Sequence, residues 1–329
     1  MAILIISDST DQTTDDVIDW IHLKKKKFYR VDFEYLVKYL NIQFSLSANF
    51  SNVILTDKQS TGTTLNIDAI WFRKDDHIEV PTFEHFDFYE NEVFKNRIEK
   101  ETLTIKRVIF DAASFTGVIG LSGYNRSYKL SKIEFLKLAR DVGLKVPDTI
   151  ITNSKKCLID FKQKVKRVIS KATNENLFLI SKKYGAHFQY THEVSDENIQ
   201  QFPNKFFPSL FQELIEKDYE IRTFYIDGKI FSICIFSQVD EATSIDFRAS
   251  NYSNMNRVVP FLLPQEITSL IRELMKKAEI NIGCIDLLRS LTGDYYFLEV
   301  NPNGEFGMVS KPGNYYLEKE VANFLCNEK

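Results

Sequence analysis

Gly283-Cys-Ile-Asp-Leu-Leu-Arg-Ser-Leu-Thr-Gly-Asp-Tyr-Tyr-Phe-Leu-Glu-Val-Asn-Pro-Asn-Gly304 is the stretch from which the rest of this chain is read. Cys284-Ile-Asp-Leu-Leu288 and Tyr295-Tyr-Phe-Leu-Glu-Val-Asn301 are short and apolar-rich, and Thr292-Gly293 lies midway between Asp286 and Glu299. That pattern predicts a β-hairpin with its turn at Thr292-Gly293. In that register Asp286 faces Glu299, their Cβ atoms roughly 5 Å apart. Asn301 joins them by the period of two along a strand, while Ile285, Leu287, Leu298 and Val300 supply the buried face. Close carboxylates repel unless a cation sits between them. An all-oxygen donor set without His or Cys suits magnesium, which fills its remaining positions with substrate phosphates. Pro302 and Gly304 hold the chain in a fixed turn just beyond. A half-exposed hairpin whose polar residues merely face solvent has the same spacing, so spacing alone leaves both readings open.

The stretch Ile-Asp-Leu-Leu followed by Phe-Leu-Glu-Val-Asn-Pro-Asn-Gly resembles the C-terminal magnesium motif of ATP-grasp carboxylate–amine ligases. Within that superfamily the chain is most similar to the graspetide (microviridin-type, grasp-with-spasm) peptide maturases. This closer resemblance rests on Phe211-Gln-Glu-Leu-Ile-Glu-Lys-Asp-Tyr-Glu-Ile-Arg-Thr-Phe224, on Asp246-Phe-Arg248, and on Gly307-Met-Val-Ser-Lys-Pro-Gly-Asn-Tyr-Tyr-Leu-Glu-Lys319. It runs from about Asn125 to the C-terminus, with a weaker echo in Ala69-Ile-Trp-Phe-Arg73. The fold it implies is α/β (α+β): an N-terminal α/β pre-ATP-grasp domain over 1–124, a central ATP-grasp lobe over 125–205 and a C-terminal lobe over 206–329.

Bulk properties agree. At 329 residues and 44% hydrophobic the chain buries more than one core. A net charge of −3 lacks the basic excess of a general nucleic-acid binder. Cys157, Cys234, Cys284 and Cys326 stand far apart without CxxC spacing, which argues against a zinc knuckle or a disulfide scaffold and fits a reducing cytoplasm. The opening Met1-Ala-Ile-Leu-Ile-Ile-Ser-Asp8 lacks the regions of a signal peptide. No apolar run reaches the roughly 20 residues that span a bilayer, so a soluble, unprocessed protein is expected. His22, His77, His85, His187 and His192 show no metal-ligand spacing, and the run Lys24-Lys-Lys-Lys27 reads as a solvated turn or helix end.

Strands are expected near residues 2–7, 52–55 and 69–72, forming an open sheet with helices on it. Residues 83–110 read as helical, with Phe83, Phe86, Phe94, Ile98 and Ile105 in the core. A helix over 131–142 has a Ser131 cap with Glu134 three residues on, and Gly143 as its stop. Residues 144–152 and 177–185 read as extended, and Asp227-Gly228 closes a hairpin between 220–226 and 229–236.

The resemblance implies roles for particular residues. Lys129 and Lys182 would be the nucleotide-binding lysines, a strand-end lysine reaching phosphate as a compact charge. Gln212, Glu213, Leu214 and Ile215 would line the base pocket, and Glu220 would hold the ribose. Arg222 lies among aromatics and needs an anionic partner, with Glu220 or Asp246 as simple ion-pair choices. In the functional reading Arg222 and Arg248 are the catalytic clamp on the γ-phosphate and the acyl phosphate. Asp286, Glu299 and Asn301 would hold the metal, Asn301 also meeting the nucleotide.

The implied cofactors are ATP and Mg2+. The implied substrate is a ribosomal precursor peptide, leader and core, whose Asp or Glu side chains become esterified to Ser/Thr or amidated to Lys. His187, Phe188, Tyr190, Glu193 and Asp218 are the leader-contact candidates, and a homodimer is compatible with the aromatic content. No nucleic acid or membrane partner is implied. Two other readings use the same residues: another ATP-grasp ligase acting on amino acids, a protein C-terminus or small metabolites, and a non-catalytic nucleotide-binding scaffold.

Overall fold

The apolar run Ala2–Ser7 forms β1, buried along its whole length. It sits inside a parallel sheet of order β2-β1-β5-β6, with β2 at Lys27–Val31, β5 at Ala69–Lys74 and β6 at Ile119–Ser122. This is a computed structural model that describes residues 2–32, 40–47, 50–57, 67–74, 85, 87–115, 119–122, 130–173, 178–181, 185–188, 191–238, 256–302 and 304–327. Helix α1 (Gln12–Leu23) connects β1 to β2, burying Val17 and Ile21. The strand expected near residues 52–55 does not join this sheet. It is part of β4 (Phe50–Asp57), which pairs with β3 (Leu40–Ser47) in a separate antiparallel hairpin. Alternation of elements reveals a strand but not the sheet it enters.

Helix α2 runs over Phe88–Phe115, later than the expected 83–110; Phe83 and Phe86 lie outside the described residues. Phe94 and Ile98 are half-buried, but Ile105 is 44% exposed, and Thr102 is buried instead. Helix α3 (Lys132–Asp141) has the expected capping box, Ser131 accepting from the Glu134 N–H while the Glu134 side chain accepts from the Ser131 N–H; Gly143 follows at φ +100°.

The central part holds an antiparallel sheet, order β11-β8-β12-β7. Its strands are β7 (Thr149–Ser154), β8 (Val168–Lys171), β11 (His192–Glu193) and β12 (Lys205–Glu213). Helices α4 (Lys155–Val165) and α5 (Asp196–Gln201) cover it through a core of Leu158, Phe161, Val168, Val194, Ile199 and Phe211. The extended stretch expected from residue 144 becomes a ladder strand only at Thr149. Between β8 and β11 in sequence, β9 (Phe178–Ser181) and β10 (Gly185–Phe188) pair antiparallel as a separate two-stranded sheet.

Five antiparallel strands form the C-terminal sheet, order β15-β14-β13-β16-β17. They are β13 (Lys217–Ile226), β14 (Lys229–Phe236), β15 (Arg257–Phe261), β16 (Ile282–Ser290) and β17 (Tyr295–Asn301). The expected hairpin at Asp227-Gly228 joins β13 to β14, both turn residues at positive φ (43° and 86°) as a type I′ turn requires. One face packs against α3 and α6 (Gln265–Lys277) through Ile221, Tyr225, Ile285, Leu287 and Phe297. On the other face Phe224, Ile226, Ile233, Ile235, Ile282 and Cys284 share a single core with Ile3, Ile5, Ala69 and Trp71 of the N-terminal sheet. Helices α7 (Gly307–Gly313) and α8 (Leu317–Leu325) close that core.

The four cysteines form no disulfide; Cys157 is exposed, whereas Cys234, Cys284 and Cys326 are buried. Burial pushes the Cys284 thiol up to about 11 and the Cys234 thiol up to about 12. Alkylation of the native protein at about pH 8 should therefore modify Cys157 quickly and leave those two thiols untouched, as read by peptide mass spectrometry. Rapid labelling of Cys284 would contradict this packing. Among the described residues no helix is long and apolar enough to cross a membrane.

Candidate active site on the C-terminal sheet

Along β13 the residues Glu220, Arg222, Phe224 and Ile226 fall on one face by the strand's period of two. Phe224 and Ile226 are sealed under the N-terminal domain, whereas Glu220 and Arg222 extend the same row toward the strand's start. Arg222 stands opposite Asp286 on β16, and Asp286 stands opposite Glu299 on β17. The hairpin register expected from the sequence is therefore present, with Gly293 at φ +90° in its turn. One detail differs: the register shifts between Asp286 and Leu287, so Leu287 pairs with Phe297, not Leu298. This bulge leaves Leu298 half-buried and sends Phe297 into the core at 0% exposure.

Arg222 is 6% exposed, and its Nη1 donates to both Asp286 carboxylate oxygens, at 2.9 and 3.0 Å. Its partner is thus the candidate metal ligand itself; Glu220 is engaged elsewhere, and Asp246 lies outside the described residues. Burial works against the guanidinium charge, but Asp286 and, more weakly, Glu299 prevail and raise its pKa above the ordinary arginine value. The Arg222 Nε is buried without a hydrogen-bond partner among the described residues. Lys132, at the first position of α3, brings its Nζ within 3.4 Å of the Glu299 carboxylate. Among the described residues, Asp286 thus has Arg222 beside it and Glu299 has Lys132.

Asn301 pairs with Cys284 and is exposed; its Oδ1 accepts from the Gly304 N–H at 3.2 Å. Gly304 has φ +32°, and a Cβ there would come within 3.0 Å of the Cys284 nitrogen and 3.1 Å of its sulfur. Gly304→Ala should therefore cost about 1–3 kcal/mol, checked by urea unfolding. Unchanged stability would mean the turn is looser than its contacts show.

Asp286, Glu299 and Asn301 offer hard oxygen atoms on one sheet face, a set that fits magnesium. Among the described residues no cluster of three or more His, Cys, Asp or Glu could hold a metal, so the carboxamide and a substrate oxygen would have to complete the shell.

The other expected site residues are more scattered. Glu220 is 8% exposed, held by Lys217 and by the Ser237 hydroxyl at 2.9 Å; burial pushes its carboxyl upward against the pull of Lys217. Gln212 is buried, its amide donating to Thr149 Oγ1 at 2.9 Å. The N–H groups of Glu213 and Leu214 go to the Asp148 and Arg167 carbonyls, and Leu214 and Ile215 lie in the connector between β12 and β13, half-buried. Glu193 forms a two-pronged pair with Arg167, whose hydrogen bonds hold its carboxyl below the usual range. Arg167 also reaches Glu216, and Asp218 pairs with Arg289 at 2.6 Å. The two acidic leader candidates are thus both ion-paired. Lys129, Lys182, Tyr190 and Arg248 lie outside the described residues, as do the side chains of His187 and Phe188 on β10.

Residues 2–110 match the MvdD pre-ATP grasp domain. Over 99% of this chain and 96% of its own, a RiPP-associated ATP-grasp ligase of Chryseobacterium gregarium, solved with ADP and a leader and core peptide, superposes at TM-score 0.83 and 24% identity. The macrocyclase MdnC of Microcystis aeruginosa MRC, bound with precursor peptide MdnA, matches over 100% of both chains at TM-score 0.78 and 25% identity. The chain has the fold of the ATP-grasp ligases. A further ATP-grasp ligase, PsnB, complexed with minimal precursor, Mg and ADP, covers 99% of this chain and 97% of its own at TM-score 0.71 and 16% identity. No curated protein matches the chain. The resemblance read from residues 125 onward thus extends to residues 2–110.

Lys132 is the residue that sequence reasoning missed. Its signal was the Ser131 capping box, which fixes Lys132 at the start of α3; what the box could not show is that α3 packs beside β17.

Proposed function

We propose that the chain is an Mg2+- and ATP-dependent peptide ligase that activates Asp or Glu side chains of a ribosomal precursor peptide and closes them onto Ser/Thr as esters or onto Lys as amides. The observation that carries this reading is the convergence of Asp286, Glu299 and Arg222 on one sheet face, with Lys132 reaching Glu299 from the start of α3, in a fold whose solved relatives hold ADP and precursor peptides. Bound Mg-ATP would supply a γ-phosphoryl group that passes to the substrate carboxylate, and a hydroxyl or amine then displaces phosphate from the resulting acyl phosphate.

Asp286, Glu299 and Asn301 would hold the metal. Arg222 would turn its unpartnered Nε edge toward the phosphoryl oxygens as negative charge spreads over them, and Lys132 would add a second fixed cation. Such charges, placed beforehand, lower the barrier without a covalent nucleophile on the protein. Lys129, Lys182 and Arg248 are proposed to complete the cationic lining, with Glu213, Leu214 and Ile215 beside the base and Glu220 near the ribose. Leader contact is proposed for His187, Phe188, Tyr190, Glu193 and Asp218.

The test is mass spectrometry of a Ser/Thr- and Asp/Glu-rich precursor encoded beside this gene, after incubation with the protein, ATP and Mg2+. Successive losses of about 18 Da, one water per bond formed, support the macrocyclase. Phosphate release with free amino acids but an unchanged precursor would point to a small-substrate ligase. Absence of ATP turnover under every condition would leave only nucleotide binding.

A further inference from the structure

Arg73 ends the row Ala69, Trp71, Arg73 on β5, whose first two members lie in the core shared with the C-terminal sheet. It is 2% exposed although it belongs to the N-terminal domain and its family match. Its guanidinium is divided among distinct groups. Nε pairs with Asp11 at 3.1 Å, Nη1 donates to the Gly304 carbonyl at 2.9 Å, and Nη2 pairs with Glu305 at 3.2 Å. The guanidinium carbon also lies 5.4 Å from the Phe306 ring centre. Asp11 is itself fixed, accepting from the Thr14 hydroxyl at 2.8 Å.

These C-terminal contacts fall on Gly304, Glu305 and Phe306, just after the Asn301 turn. Gly304 is the link: its carbonyl accepts a hydrogen bond from Arg73 while its N–H donates to the Asn301 carboxamide oxygen, and its Cα side faces Cys284 closely. A shift at Gly304 therefore cannot be absorbed toward β16 and must reach Asn301. Mutating groups that orient metal ligands from behind typically costs about 10–100-fold in metal affinity.

From this we infer that Arg73 is a positioning residue for the metal-ligand turn, through which the N-terminal domain sets the Mg2+ affinity of a site it does not itself line. The inference rests on the metal reading above. Ordinary domain glue would place an arginine here too, but it would tie stability, not Mg2+ dependence, to Arg73.

Titration calorimetry of ADP binding against Mg2+ concentration, with thermal unfolding alongside, separates these. For Arg73→Lys, which keeps the charge but loses the fork, the Mg2+ concentration for half-maximal binding should rise about tenfold, with ADP affinity at saturating Mg2+ within about twofold of wild type. Glu305→Gln, at a half-exposed side chain, should shift the midpoint the same way by a smaller factor and serves if Arg73→Lys fails to fold. A folded Arg73→Lys, or failing that a Glu305→Gln, with the wild-type Mg2+ midpoint overturns the inference while leaving the metal reading intact. Wild-type ADP binding that ignores Mg2+ would instead remove the metal reading, and the inference with it.

Discussion

Replacing Glu299 by Gln should reduce ATP turnover by about 10²–10⁴-fold, the loss of several kcal/mol of charge stabilisation from one metal ligand, while the fold stays within about 1 kcal/mol of wild type. Glu299 is partly exposed, and its cationic neighbour Lys132 has a similar exposure, so neither is left stranded in a dry interior. Asp286→Asn differs. It removes a ligand, but it also takes the formal countercharge from Arg222, which is 6% exposed. Breaking a buried pair from one side costs about 3–5 kcal/mol, so this variant should lose both turnover and stability. Phosphate release and urea unfolding on both variants provide the comparison. Full turnover in Glu299→Gln would end the metal assignment.

Arg222→Ala should lower phosphoryl transfer by about 10²–10³-fold, in the range of removing one preorganised donor from developing charge, with a much smaller effect on ADP affinity. The same change leaves the Asp286 carboxylate without its guanidinium, so the unfolding midpoint should fall as well. Adding Asp286→Asn to Arg222→Ala discriminates the two effects: stability should partly return, because the carboxylate that faced the guanidinium is neutralised, while turnover stays lost. A transfer rate in Arg222→Ala equal to wild type would reduce Arg222 to a structural ion pair.

The legible parts of this site were those set by local rules. A two-strand pattern around Thr292-Gly293 fixes which residues oppose each other, so Asp286 and Glu299 could be placed face to face from sequence. Ser131 and Glu134 announce the start of α3 in the same way. Leu298 escaped because a bulge shifts the pairing by one residue, and strict alternation contains no sign of it. The Arg222–Asp286 pair escaped for a different reason. Its partners are 64 residues apart on strands brought together by the whole sheet, and no local rule gives register at that separation. Arg73 and Gly304, 231 residues apart, are an extreme case of the same limit. The strand near residues 52–55 was expected in the open sheet, and its partner β3 was not expected at all, because element alternation says nothing of which strands pair.

The core shared between the N-terminal and C-terminal sheets bears on how this chain can be shortened. Phe224, Ile226, Ile233, Ile235 and Ile282 lie under the N-terminal strands. A fragment beginning after those strands would present these side chains to water, at roughly 1.5–3 kcal/mol each, a sum comparable to the whole stability of an ordinary domain. The C-terminal half, although it carries Arg222, Asp286, Glu299 and Asn301, is therefore not a self-sufficient minimal enzyme. Expressed alone, it is expected in inclusion bodies, and adding the missing N-terminal segment as a separate polypeptide should bring it back into solution.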